Sequence, residues 1–120
     1  MTLHFINAQL IDPEAGTVTR GTLRVEDGKI AAVLDDTAPI PGDAQVVDCG
    51  GKYLAPGIVD LGVKVCEPGE RHKESFRSAG LAAAAGGVTT MVTRADTVPT
   101  IDSPEVLEFA LRRGAEASSA

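Results

Sequence analysis

Apolar and polar positions alternate over short distances in the first half of the chain. Residues 22–26 and 29–34 form two strand-like runs, separated only by Asp27 and Gly28. Asp-Gly between two such runs predicts a β-hairpin, because both turn positions need a positive φ. We therefore predict a small antiparallel β module over residues 1–57.

In the second half of the chain, the spacing of the apolar residues changes, and longer runs alternate between strand and helix patterns. Residues 58–65 are β-branched and nearly continuously apolar, which predicts a buried parallel strand. Residues 72–85 carry small and apolar side chains at helical spacing and are followed by Gly86 and Gly87, which predicts a helix. Residues 88–93 predict a second strand. The predicted buried face of the helix consists of Phe76, Ala79, Gly80, Ala83 and Ala84.

A second helix is predicted to begin close to Ser103, which can cap it with Pro104 in the first helical position. Asp102 and Glu105 offer a capping box as the other possible start. Strands that alternate with helices predict a right-handed crossover and a parallel sheet over residues 58–120. A βα barrel needs eight such units and typically about 250 residues, so we expect the chain to be truncated or partial.

Composition narrows the classes of function. Seventeen acidic and eleven basic residues give a net charge of -6, which disfavours nucleic acid and anionic membranes as partners. No apolar run approaches the roughly 20 residues of a membrane-spanning helix, and the N-terminus lacks the pattern of a secretory signal. Cys49 and Cys66 are too few for a disulfide framework, although one bridge stays open. We therefore expect a cytoplasmic protein with reduced thiols.

Three motifs carry a resemblance to a known family. They are the run GKYLAPGIVD at residues 51–60, the EPG at 67–69 with HKE at 72–74, and AAAAGGVTT at 82–90. Together they resemble the dihydroorotases of the amidohydrolase superfamily. The resemblance implies an α/β fold, the N-terminal part of a (β/α)8 TIM barrel preceded by strands of a small β-sandwich. Residues 58–120 would then form the first two βα units of that barrel.

Four positions depart from the pattern of this family. The two zinc-binding histidines that the family carries on its first barrel strand correspond to Gly62 and Lys64. Glycine offers no ligand atom, and a protonated lysine opposes a divalent cation. The family's substrate-binding arginine and asparagine correspond to Cys66 and Asp96. A thiol cannot replace a guanidinium fork, and an acidic side chain opposes a carboxylate substrate.

These departures predict a degenerate dihydroorotase homologue with no catalytic residue, no metal ligand and no substrate-binding residue among the four positions, and no resident cofactor. The resemblance implies a noncatalytic scaffold or regulatory subunit of de novo pyrimidine biosynthesis, an oligomer with aspartate transcarbamoylase as its partner. The alternative is a metal-dependent hydrolase of cyclic amide C–N bonds with a reduced or relocated zinc site. Its remaining ligands would lie beyond Ala120. A third reading is a nonfunctional fragment.

Individual residues near the predicted strand ends allow two readings each. Alternation along the strand places Lys64 at an inward-facing position. There it replaces the metal with its own charge or forms an ion pair with a carboxylate from a later strand, and the alternative is a solvated charge. Arg94 and Asp96 either form a polar pocket for an anion or are solvated neighbours. Cys66 is expected to be an inert thiol rather than a nucleophile. His72 is expected at the start of the first helix, in a surface or capping role.

Overall fold

The chain divides between Pro56 and Gly57 into two compact units, each with its own sheet. A computed structural model describes residues 2–117. Within these residues, neither helix is long and apolar enough to cross a membrane. The first unit holds a five-stranded sheet, and the second holds a two-stranded sheet with two helices.

The sheet of the first unit has the strand order β3-β2-β1-β4, and β5 also pairs with β1. The predicted hairpin is confirmed, because Asp27 and Gly28 join β2 to β3 with φ angles of 49° and 77°. Buried side chains, including His4, Ala8 and Thr22, lie on β1 and β2. The strands are β1 (Thr2–Asp12), β2 (Thr17–Glu26), β3 (Lys29–Leu34), β4 (Gln45–Asp48) and β5 (Tyr53–Leu54).

The sheet is mixed, so the prediction of an antiparallel module is wrong for two of its strands. β4 and β5 both run parallel to β1. β3 already occupies one edge of β2, and β4 lies at the opposite edge of the sheet. Residues 35–44 form a long connection between β3 and β4, and such a connection permits parallel pairing, whereas a tight hairpin enforces antiparallel pairing.

The second unit has the predicted order of strand, helix, strand and helix. Its two strands pair in parallel, which confirms the predicted parallel sheet. Within the described part of this unit, α1 packs against α2 and β7, but no helix packs against β6. The elements are β6 (Ile58–Val63), α1 (Phe76–Ala85), β7 (Val88–Thr93) and α2 (Pro104–Ala117).

Among the described residues, β6 is exposed, whereas its pattern predicts a buried strand. Ile58, Val59 and Leu61 are 54%, 59% and 75% exposed. A parallel strand becomes buried when helices or further strands cover both of its faces. Because α1 packs against β7 and α2 packs against α1, the apolar side chains of β6 stay uncovered among the described residues. The strand also ends two residues earlier than the pattern predicts, at Val63.

Helix α1 begins at Phe76, four residues later than predicted. Ser75 is its N-cap: its backbone is extended, and its Oγ accepts a hydrogen bond from the Ser78 N–H at 3.1 Å. A capped start of this kind fixes the first turn, so the preceding residues form separate turns instead. Ala79 is buried as predicted, whereas Ala84 is exposed, because it lies at the outer edge of the small-residue stripe.

Helix α2 begins as the sequence predicts. Pro104 is its first residue, and the Ser103 Oγ accepts a hydrogen bond from the Val106 N–H at 3.4 Å. Proline suits this position because its missing N–H would have no partner within the helix. Ala110 is buried on this helix. The serine cap is therefore the start that the chain uses.

Candidate functional site

The carboxyl ends of β6 and β7 lie side by side at one edge of the parallel sheet. The backbone N–H of Arg94 donates to the Val63 oxygen at 2.9 Å, which holds the two chain segments together just past the strands. Ligand sites of α/β folds are built at this edge, from the residues that follow the strands. The side chains around residues 62–74 and 94–99 are therefore the candidate site.

Gly62 interrupts the strand immediately before this edge. Its φ is +90°, and the pairing of β6 with β7 shifts register between Leu61 and Val63. L residues rarely adopt this conformation, so a histidine here would be strained whatever space surrounds it. The bulge also breaks the alternation of strand faces. Alternation therefore does not determine the direction of the Lys64 side chain, which is 52% exposed.

Lys64 forms an ion pair with Asp96, a carboxylate that follows the neighbouring strand. Its Nζ lies 3.5 Å from Asp96 Oδ2, and Arg94 Nη2 donates to the same oxygen at 2.8 Å. Partial burial raises the pKa of Asp96, but the charges of Arg94 and Lys64 outweigh it and hold this pKa below its usual range. Two of the four positions singled out in the sequence, Lys64 and Asp96, therefore form an ion pair with each other.

Cys66 and His72 lie in the loop that connects β6 to α1. Cys66 is a half-buried free thiol, and its carbonyl oxygen accepts a hydrogen bond from the Glu70 N–H at 2.8 Å. His72 is exposed and lies in a turn rather than in the helix where the sequence placed it. The side chains of Glu70 and Lys73 form an ion pair, and the Lys73 hydrogen bond lowers the pKa of Glu70.

Glu67 is a structural centre of this loop that the sequence analysis missed. Its side chain is 4% exposed and accepts hydrogen bonds from the Phe76 N–H at 3.1 Å and from Arg113 Nε at 2.9 Å. Arg71 Nε is 3.8 Å from the same carboxylate. Burial raises the pKa of Glu67, but the hydrogen bonds from Arg113 and from the Phe76 N–H outweigh burial. The pKa of Glu67 is therefore held below its usual range. No local pattern predicts a pair that is separated by 46 residues in the chain.

The side chains at this edge do not fit a zinc ion. Zinc in proteins takes cysteine, histidine or carboxylate ligands, usually four in total. Within residues 2–117, no group of three or more such side chains is placed to hold a metal ion. Gly62 has no side chain to bind a metal, and Lys64 presents an ammonium group. The nearby Asp96 carboxylate is paired with two cations, Lys64 and Arg94.

Comparison with known proteins identifies the family. A family model described as dihydro-orotase-like matches residues 51–119. The chain belongs to the dihydroorotase-like family. A dihydroorotase of Streptococcus thermophilus (strain CNRZ 1066) is 41% identical over 110 residues, covering 92% of this chain and 26% of that protein. A dihydroorotase of Anaplasma phagocytophilum (strain HZ) is 40% identical over 121 residues, covering 98% of this chain and 27% of that protein. The chain thus spans about a quarter of these relatives' length.

Solved structures of related hydrolases share its fold. An L-hydantoinase (dihydropyrimidinase) from Arthrobacter aurescens matches with a TM-score of 0.79 and 25% identity, over 93% of this chain and 24% of that one. A D-hydantoinase matches with a TM-score of 0.76 and 27% identity, over 94% of this chain and 24% of that one. The mixed α/β fold therefore resembles the N-terminal part of amidohydrolase-superfamily proteins, and the family indicated by the sequence motifs is confirmed.

Proposed function

We propose that this chain is the N-terminal part of a noncatalytic dihydroorotase homologue, acting as a scaffold or regulatory subunit in de novo pyrimidine biosynthesis. The observation that carries the proposal is the backbone at Gly62, where the family pattern has a histidine. A φ of +90° and a shifted register place a glycine-dependent bulge at this position. Glycine supplies no ligand atom, and a histidine at this position would be strained by the same φ.

Electrostatics at the second position supports the same proposal. The ammonium group of Lys64 lies 3.5 Å from Asp96 Oδ2 and adds a positive charge where the family pattern has a neutral imidazole. A divalent cation at this edge would face the charges of Lys64 and Arg94 without a cluster of ligands to offset them. These residues bind each other instead.

We also propose that the second unit forms the first two βα units of a (β/α)8 barrel, and that the first unit belongs to a small β-sandwich. The uncovered apolar face of β6 supports this, since further strands and helices of a barrel would bury Val59 and Leu61. The likeness to hydantoinases, over 24% of their length, supports it as well.

The proposed partner is aspartate transcarbamoylase, in a cytoplasmic oligomer. The support for this partner is the family resemblance, in which noncatalytic dihydroorotase homologues accompany that enzyme. Affinity purification of the tagged full-length gene product tests it. Recovery of the transcarbamoylase in a stoichiometric complex is the expected result, and its absence under gentle conditions would remove the partner from the proposal.

The deciding experiment measures zinc per chain and dihydroorotate turnover on the full-length gene product, purified without chelator. The Streptococcus thermophilus dihydroorotase, purified in the same way, is the matched control. We expect no tightly bound zinc and no turnover from this protein. About one or two zinc ions per chain together with turnover would overturn the proposal, because a working site needs bound metal to activate water.

The second candidate is a metal-dependent hydrolase of cyclic amides with a reduced or relocated metal site. The likeness to an L-hydantoinase, with a TM-score of 0.79, favours it over unrelated activities. Its metal ligands would have to come from residues outside those described. About one zinc ion per chain, with hydrolysis of cyclic amides other than dihydroorotate, is the result that would favour this candidate.

A further inference from the structure

Two cationic side chains converge at the carboxyl edge of the parallel sheet. Lys64 follows β6 and Arg94 follows β7, and both contact the same oxygen of Asp96, at 3.5 Å and 2.8 Å. One carboxylate therefore faces two cations. The cluster formed by Lys64, Arg94 and Asp96 has a single net positive charge, in a chain whose overall net charge is -6.

The neighbouring charged groups do not cancel this excess. Glu70 is close enough to feel the charge of Lys64, but its carboxylate is bonded to the ammonium group of Lys73. Farther along the same loop, Arg71 faces the buried carboxylate of Glu67. Because Glu70 and Lys73 neutralise each other, the positive excess at the strand ends stays with Lys64 and Arg94.

Each cation uses only one of its hydrogen-bond donors to contact Asp96. A guanidinium group has five N–H donors and an ammonium group has three. Lys64 and Arg94 are 52% and 55% exposed, so their remaining donors are accessible from solvent. A guanidinium fork matches the paired oxygens of a carboxylate or a phosphate.

We propose that Lys64 and Arg94 form a metal-independent site for a small anion with a carboxylate or phosphate group, with Asp96 as a built-in competing anion. This inference rests on the proposed function, because the Lys64 ammonium stands where the family pattern has a zinc ligand. The incoming anion shares or displaces the contacts of Asp96. The site shares only Asp96 with the family's carboxylate site, whose arginine position holds Cys66 here, and its two cations come from other positions.

The test is calorimetric titration of the full-length protein with inorganic phosphate and, in a separate experiment, with succinate. Both titrations are done at low ionic strength, with a chelator present to keep the protein free of zinc. Lys64→Met should weaken anion binding roughly fivefold, as expected for one half-exposed charge contact. Asp96→Asn should tighten binding by roughly the same factor, because it removes the competing carboxylate. Lys29→Met, which removes an exposed lysine of β3, should leave binding unchanged. Unfolding cannot mimic the tighter binding of Asp96→Asn.

The outcomes separate this inference from the proposed function. Binding of phosphate alone or succinate alone supports the site and identifies the chemical group that it prefers. The inference is overturned if neither anion binds the zinc-free protein, or if Lys64→Met binds as well as Lys29→Met. Zinc content and dihydroorotate turnover, measured on the same preparation, test the proposed function independently of anion binding.

Discussion

Gly62 differs from the other residues of β6 in one backbone angle. Its φ of +90° lies in the region that L residues rarely adopt. A Cβ added here would find open space, since the nearest atom beyond the two adjacent residues, Arg94 Cγ, would be 4.0 Å away. The backbone conformation, and not crowding, therefore decides which residue this position accepts.

We expect Gly62→Ala to lower the free energy of unfolding by about 1–2 kcal/mol, because alanine is strained at this φ. Urea denaturation of the purified protein measures the change. The matched control is Gly80→Ala in α1, where an added Cβ also meets no atom within 4 Å. The control should raise stability by up to about 1 kcal/mol, because alanine favours the helix. Equal effects of the two substitutions would contradict the role of the bulge.

Glu67→Gln should lower the free energy of unfolding by about 2 kcal/mol, because it weakens the buried bonds to Arg113 and the Phe76 N–H. The matched control is Glu116→Gln, which removes the other carboxylate bonded to Arg113, at 2.8 Å. Because Glu116 is 53% exposed, its substitution should lower the free energy of unfolding by less than about 0.5 kcal/mol. Chemical denaturation compares the two, and a larger loss for Glu116→Gln would refute the central role of Glu67.

The two helices of the second unit depend on their serine caps to different degrees. The Ser75 Oγ accepts from the Ser78 N–H at 3.1 Å, and Ser78 Oγ accepts from the Ser75 N–H in return, which completes a capping box. The Ser103 Oγ accepts from the Val106 N–H at the longer distance of 3.4 Å. A reciprocal pair satisfies two backbone donors, whereas a single long bond satisfies one weakly.

Ser75→Ala should therefore cost about 1 kcal/mol of stability, and Ser103→Ala should cost less. Thermal unfolding followed by circular dichroism compares the two variants under identical conditions. A greater loss from Ser103→Ala would show that the cap geometry does not determine the ranking.

Acidic groups make the stability of the whole molecule depend on pH. In the first unit, hydrogen bonds from Asn7 and from the Gly50 N–H lower the pKa of Asp48. In the second unit, burial raises the pKa values of Glu67 and Asp96. Their cationic partners outweigh this effect, so both pKa values are lowered as well. A carboxyl group whose pKa is lower in the folded state stabilises that state above its unfolded pKa, and this contribution is lost as pH falls.

We expect the free energy of unfolding to be nearly constant above about pH 5 and to fall at lower pH, as these carboxylates take up protons. The unfolded pKa values are 4.5 for glutamate and 3.8 for aspartate, so the decline should begin near these values and continue below them. Denaturation curves between neutral and acidic pH measure it. Glu67→Gln should show a shallower decline than the unchanged protein, and stability that rises on acidification would contradict the assignment.

The amino-acid sequence by itself determined the local features of this protein. Asp27 and Gly28 specify a turn through their own φ preferences, and Ser103 with Pro104 specifies a helix start within one turn. The alternation of strands and helices in the second unit could also be predicted, and the motifs indicated the dihydroorotase-like family. Each of these depends on residues that are close together in the chain.

Only the tertiary structure decided which distant residues meet. It placed β4 parallel to β1, brought Arg113 to Glu67, and paired Lys64 with Asp96 across 32 residues. It also showed that the strand bulges at Gly62 and that the apolar side chains of β6 are uncovered. These outcomes depend on register and on which elements pack together, and a periodic pattern of apolar residues specifies a face but not its partner.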